Sequence, residues 1–154
     1  MSDKNKSNLL LCITGSIAAY KSVDLARLFT KSNFDVRVIM TESAKEFITP
    51  LTLQAISGNQ IHENLLDVEA ERAMGHIELA KWADLILVAP CTAETISRLS
   101  QGRADDLLGA VILASQARVF LAPAMNMNMW SNETTQKNAE HLSSTGIDLI
   151  GPSK

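Results

Sequence analysis

The chain has 154 residues, of which 46% are hydrophobic and 20% charged, with a formal net charge of −3. That length fits one domain with a sizeable core, and the composition is that of an ordinary globular protein. Scattered lysines leave no footprint for nucleic acid, no apolar stretch approaches a membrane span, and the start MSDKNKSN is unlike a signal peptide.

Asn8–Thr14 (NLLLCIT) is a continuous apolar run, which predicts a strand covered on both faces, as in parallel sheets. The run breaks at Gly15, and Ser16 is a good N-cap for a helix reaching about Ser32, with Ile17, Leu25 and Leu28 on one face. Lys21 falls on that same face, either snorkelling or held as a cation near a ligand or a subunit contact. Strand, glycine turn and helix N-terminus together form an anion site, although the same turn serves equally as plain βα structure. One glycine in place of the three of a dinucleotide fingerprint favours a mononucleotide phosphate. Phe34–Met40 (FDVRVIM) predicts a second strand from its alternation and β-branched residues. At its carboxyl end Thr41, Glu42 and Ser43 bring hydroxyls that either cap a helix or hold a cofactor. Thr49–Ser57 opens a short helix, with Thr49 as N-cap and Pro50 at the first helical position. Asn59–Glu71 is acidic and irregular, which predicts a surface connection with His62 beside it.

After Gly75, the residues His76, Leu79, Ala80 and Ala83 share one helical face, so His76 begins a short helix with its ring toward apolar neighbours. Such a histidine is either a satisfied structural residue or the candidate for proton transfer near neutral pH. Asp84–Pro90 (DLILVAP) is the most hydrophobic of the predicted strands and hence the central one. It delivers Cys91, Thr92, Ala93, Glu94 and Thr95 to the sheet edge that carries Gly15 and Thr41. Ile96–Gln101 continues as helix to Gly102, and Ala104–Ser115 is a further helix with an acidic first turn.

Ala117–Leu121 (ARVFL) predicts a strand ending at Pro123. The segment Ala122–Trp130 (APAMNMNMW) then lies outside the carboxyl ends of the strands, where α/β ligands collect. There Asn126 offers an amide able to fix a carboxylate within a soft wall of Met125, Met127 and Met129. Alternatively, the methionines and Trp130 are core and Asn126 caps the next helix. Glu133–Ser144 is a polar helix stopped by Gly146, and Ile147–Ile150 a last short strand. Cys12 and Cys91 fall where strands are expected and lack metal-ligand spacing, which argues against disulfides and for a reducing cytoplasm. The alternation of strands and helices predicts a doubly wound, mostly parallel α/β sheet with its ligand at the carboxyl edge.

PAMNMNMW matches the signature PxMNxxMW. With GSIAAYK (Gly15–Lys21), AMGHIELAKWADL (Ala73–Leu85) and GRADDLL (Gly102–Leu108), it resembles the homo-oligomeric flavin-containing cysteine decarboxylases, in that family's order over nearly the whole chain. Within the family the chain is most similar to the branch that decarboxylates 4′-phosphopantothenoylcysteine to 4′-phosphopantetheine in coenzyme A biosynthesis. The resemblance implies a Rossmann-like flavoprotein fold, FMN as cofactor, a cytoplasmic enzyme, and a homotrimer or larger assembly of trimers with the cofactor at subunit contacts. It assigns FMN to Gly15, Ser16, Ile17, Thr41, Glu42, Ser43, Thr92, Ala93, Thr95 and Ala124. His76 becomes the base associated with thiol oxidation, and Asn126 holds the substrate carboxylate, with Met127 as a further substrate contact. Met127, Met129 and Trp130 are also expected at subunit interfaces.

The implied chemistry accounts for these roles. Carbon dioxide leaves an unactivated carbon only when the electrons left behind have a sink; oxidising the neighbouring thiol creates one, with FMN as the two-electron acceptor. Glu94 departs from the family, which carries asparagine there, and a carboxylate beside a phosphate or flavin carbonyl repels it unless turned away. In the family a flap with an essential cysteine follows the Gly-Pro found here at Gly151-Pro152, and a synthase domain follows in the bifunctional proteins. Residues 1–154 are therefore expected to form the flavoprotein domain without flap or synthase, with neither Cys12 nor Cys91 placed to replace the flap cysteine. Such a chain is expected to oxidise and decarboxylate but to stall at the enethiol. Two rivals are a peptidyl-cysteine oxidative decarboxylase, which needs no flap cysteine for reduction, and a non-catalytic regulatory flavin-binding subunit. The extended match and the retention of His76 and Asn126 favour the enzyme of coenzyme A biosynthesis.

Overall fold

The computed structural model describes residues 5–66 and 74–152. The first apolar run forms β1 (Ser7–Ile13), whose side chains alternate between two buried faces. Leu10 and Cys12 enter one core, and Leu9, Leu11 and Ile13 enter the other. β2 (Phe34–Met40) has the predicted bounds. β3 (Leu85–Cys91) is buried at every residue after the first and lies at the centre, as its apolar sequence requires. β4 (Arg118–Pro123) and β5 (Asp148–Leu149) complete a five-stranded sheet in the order β2-β1-β3-β4-β5. Every pairing is parallel. This doubly wound order is flavodoxin-like, and it reverses at the boundary between β1 and β3, where such sheets take their ligands.

Helices cover both faces. On one lie α1 (Lys21–Lys31) and α2 (Pro50–Ser57), which bury Ala26 and Leu53 against Leu11 and Val38. On the other lie α3 (His76–Trp82), α4 (Ala93–Ser100) and α5 (Leu107–Ala114), which bury Leu79, Ile96 and Val111. The short α6 (Met127–Ser131) leads into α7 (Glu133–Ser144), whose Leu142 closes the same core. No described helix is long and apolar enough to cross a membrane.

Three expectations change. The first concerns α1. Ile17, Lys21 and Leu28 are exposed, Ile17 by 82%, while Ser22 and Ala26 face the sheet with Leu25 half-buried. The first turn, Ile17–Tyr20, is a 3₁₀ helix of three residues per turn, so its phase does not continue that of α1. Two small residues also let α1 lie close to the sheet, and the Ser22 hydroxyl donates to the Ala89 carbonyl at 2.7 Å.

The second concerns α5, which begins at Leu107. Asp106 precedes its first turn as N-cap and accepts from the Gly109 N–H at 2.9 Å. Gly109 makes room, since a Cβ there would stand 2.9 Å from Oδ1 of Asp106.

The third concerns 59–71. Its part from 67 on, like Ala73, lies outside the described residues, but Ile61 and His62 are buried rather than on the surface. His62 extends the sheet by one bridge beside Ile39, donating its N–H to Val38 at 2.9 Å and accepting from Met40 at 3.1 Å.

Candidate active site

A cavity of about 1140 Å³ opens over the carboxyl ends of β1 to β4, large enough for a cofactor and a small substrate together. Of the residues predicted for a cofactor, Gly15, Ser16, Thr41, Glu42, Ser43, Thr92, Ala93, Thr95 and Ala124 line it. Met125 and Met129 add the soft apolar wall. Ile17, His76, Asn126 and Met127 do not line it.

Each lining turn has a local cause. Gly15 is needed for close approach: a Cβ there would stand 2.8 Å from the backbone carbon of Ser43 and nearer still to its side chain. The turns after β1 and β2 can therefore touch only if Gly15 has no side chain. Ser16 caps the 3₁₀ turn by accepting from the Ala18 N–H at 3.1 Å. Thr41 accepts from the Ala44 N–H at 3.3 Å and lies 3.3 Å from the Ser43 hydroxyl. Glu42 pairs with Lys45, and Lys45 also reaches Glu63 at 2.9 Å, which ties the second turn to the wall segment 63–66. The side-chain bonds to Glu42 and then Glu63 raise the Lys45 pKa above its ordinary value.

At the end of β3, Thr92 caps α4 by accepting from the Thr95 N–H at 3.2 Å, and the two threonine hydroxyls lie 2.9 Å apart. Glu94 stands at the rim with its side chain 76% exposed to solvent and Arg98 4.0 Å away. Sequence reasoning missed Arg98, which lines the cavity and pairs with Asp105 and, at 3.9 Å, Asp106. Its i+4 spacing from Glu94 was the available signal, but only the fold brings Asp105 and Asp106 to it. Desolvation works to raise the Asp105 pKa, yet the charges of Arg103 and Arg98 outweigh it and hold that carboxyl below its ordinary value.

His76 is the first residue of α3, half-buried, with its Nδ1 screened from solvent and Leu79, Ala80 and Ala83 buried along its face as predicted. Asn126 is exposed and caps α6: its Oδ1 accepts from the Met129 N–H at 2.9 Å, and its two Nδ2 donors are not used in a bond to any described residue. Met127 and Met129 are not core, at 79% and 49% exposed, whereas Met125 and Trp130 are partly buried and pack against the core. Cys12 and Cys91 are free and fully buried, and burial pushes both thiols up, out of reach of ionisation at neutral pH.

The family model described as Flavoprotein matches residues 1–154. The chain belongs to the flavoprotein family. This flavoprotein is 55% identical over 148 residues to the coenzyme A biosynthesis bifunctional protein CoaBC of Haemophilus influenzae, covering 96% of this chain and 37% of that protein. It thus spans well under half the length of the curated relatives it matches. The crystal structure of the FMN-dependent cysteine decarboxylase SpaF superposes with a TM-score of 0.87 at 28% identity, covering 96% of this chain and 85% of that one. A cysteine-to-serine variant of PPC decarboxylase, complexed with pantothenoylaminoethenethiol, superposes with a TM-score of 0.83 at 34% identity, covering 97% and 84%. The expected resemblance and the doubly wound fold are thereby borne out.

Proposed function

We propose that this flavoprotein is an FMN-dependent decarboxylase that converts 4′-phosphopantothenoylcysteine to 4′-phosphopantetheine in coenzyme A biosynthesis. The observation that carries the reading is the switch-point cavity, lined by three hydroxyl-bearing turns, the first two of which meet across a glycine that admits no Cβ. Kinship to CoaBC and to PPC decarboxylase supports the substrate. Gly15, Ser16, Thr41, Ser43, Thr92 and Thr95 suit FMN, because their hydroxyls and turn amides offer donors beside an apolar methionine wall. Bound FMN supplies the two-electron acceptor that makes loss of carbon dioxide from an unactivated carbon feasible.

The chain's own residues do the rest. His76 takes the proton from the substrate thiol, with an imidazole nitrogen as the acceptor. The Nδ2 donors of Asn126 grip the substrate carboxylate, and the cap that fixes its Oδ1 orients them. Met125 and Met129 exclude water from the reacting carbon. His76, Asn126, Ile17 and Met127 stand off the cavity wall, so the reading has them converge through association of copies into a trimer. Exposed Ile17, Tyr20, Phe47, Leu51 and Met127 supply apolar surface for such an association to cover. We read residues 1–154 as one flavoprotein domain in a cytoplasmic protein, a setting the two free cysteines suit.

Cys12 and Cys91 are both buried, so neither is placed to protonate the enethiol left by decarboxylation. The SpaF superposition suits the peptidyl-cysteine decarboxylase as second reading. The test is anaerobic: reconstitute with FMN, add 4′-phosphopantothenoylcysteine, and follow flavin absorbance together with carbon dioxide. Bleaching with carbon dioxide release supports the assignment. Binding of FMN with neither signal refutes the substrate and turns attention to cysteine-ended peptides.

A further inference from the structure

The ladder between β1 and β3 stops at Cys12 and Val88, and the pairing of β3 with β4 shifts register between Val88 and Cys91. Beyond that point β3 must still deliver Thr92 to the cavity, yet the β1 ladder no longer steers it. Two buried hydroxyls take over. Ser22 donates to the Ala89 carbonyl at 2.7 Å, and Thr14 donates to the Pro90 carbonyl at 2.6 Å. Thr14 also accepts from the Thr92 N–H at 3.2 Å. Thr14 is 1% exposed, and without its hydroxyl the Pro90 carbonyl and the Thr92 N–H would lose a buried partner.

We propose that Thr14 is a positioning residue for the cavity: its hydroxyl, bonded to both Pro90 and Thr92, sets where Thr92 and the first turn of α4 stand. The hydroxyl holds the chain on either side of Cys91. On the far side the Cys91 carbonyl accepts from the Ala124 N–H at 3.0 Å, so the same few residues also locate the segment that leads to Asn126. Thr14 lines no part of the cavity itself. It acts through Thr92, whose hydroxyl and the Thr95 hydroxyl must meet the ligand in a fixed arrangement. The flavin part of the test rests on the proposed function; the part read without cofactor does not.

The experiment compares T14V, which keeps the shape and removes the hydroxyl, with T14S, which keeps the hydroxyl. S115A serves as control, because Ser115 makes a comparable bond to the Ala80 carbonyl at 2.8 Å away from the cavity. Amide hydrogen exchange of the cofactor-free chain is read first. T14V should speed exchange at Thr92 and Thr95 by about tenfold or more and leave α7 unchanged, while T14S stays within about twofold of the parent. FMN affinity and the visible spectrum of the bound flavin follow. T14V should bind about tenfold more weakly with a shifted spectrum, T14S should restore both, and S115A should lower the melting temperature without moving either.

Unchanged exchange at Thr92 and Thr95 in T14V overturns the proposal, as does T14S behaving like T14V or S115A weakening FMN as much. If T14V does not fold, T14A removes the same two bonds and is read in the same way. If the parent itself fails to bind FMN, the cofactor assignment falls, and the exchange data alone decide on Thr14.

Discussion

His62 makes the fold sensitive to acid. The residue is 9% exposed and its Nε2 has no hydrogen-bond partner among the described residues, while its backbone is locked to β2 on both sides. Arg37, also on β2 and stacked over the Trp82 ring at 5.1 Å, is the charged group whose field reaches it. Burial first, and then the Arg37 charge, lower the His62 pKa from its ordinary value of 6.5. Below that value an unfolded histidine takes a proton that the folded one refuses, so the unfolded state binds more protons and stability falls as pH falls. Stability is therefore intact above pH ~6.5 and lost on acidification toward the folded pKa. One proton sets the ceiling: about 1.4 kcal/mol by pH ~5.5. Urea unfolding of the parent and His62→Phe, followed by tryptophan fluorescence from pH ~7.5 to ~5.5, isolates this share from other titrating groups. The parent should lose up to about 1.4 kcal/mol more than the variant over that range. Because His62 leads directly into the wall segment 63–66, FMN affinity of the parent should fall over the same interval. Identical pH slopes in the two proteins would refute the reasoning.

Gly15→Ala should cost about 1–3 kcal/mol and weaken FMN more than tenfold, because its Cβ meets the backbone of Ser43 rather than a movable side-chain tip; calorimetry and flavin titration check both. Asp106→Ala removes the α5 cap and one partner of Arg98, with about 1 kcal/mol of stability lost and a melting temperature lower by about 2–4 °C in a thermal scan. Leu51→Asp, at a side chain 72% exposed, should leave monomer stability within about 0.5 kcal/mol yet lower the mass seen by light scattering; an unchanged mass would remove Leu51 from the association surface. Asn126→Asp keeps the α6 cap but replaces the Nδ2 donors with a charge that repels carboxylate, so substrate-dependent bleaching should fall at least a hundredfold while FMN still binds.

Much of the frame was legible because it depends on neighbours in sequence. The alternation of Phe34–Met40, the Thr49-Pro50 start of α2 and the polar run of Glu133–Ser144 set element bounds that the fold keeps. The apolar density of β3 set its central place, and the turns after β1, β2 and β3 were readable as the rim of one cavity. The signature residues around Asn126 led to the right family.

What the sequence could not determine depended on partners far along the chain. Periodicity put Ile17 and Leu28 on the inner face of α1, but the buried bond from Ser22 to Ala89 and the 3₁₀ first turn rotate that face to solvent. Acidic composition made 59–71 a surface connection, but two backbone bonds to β2 pull His62 inside. Arg98 became a cavity residue only when Asp105 and Asp106 folded back onto it, and Thr14 acquired its role only where the β1 ladder gives out beside Pro90 and Thr92. Local propensity specifies elements through contacts a few residues apart. Burial, charge pairing and the aim of a loop are specified by atoms that sequence separates and only the tertiary structure brings within bonding distance.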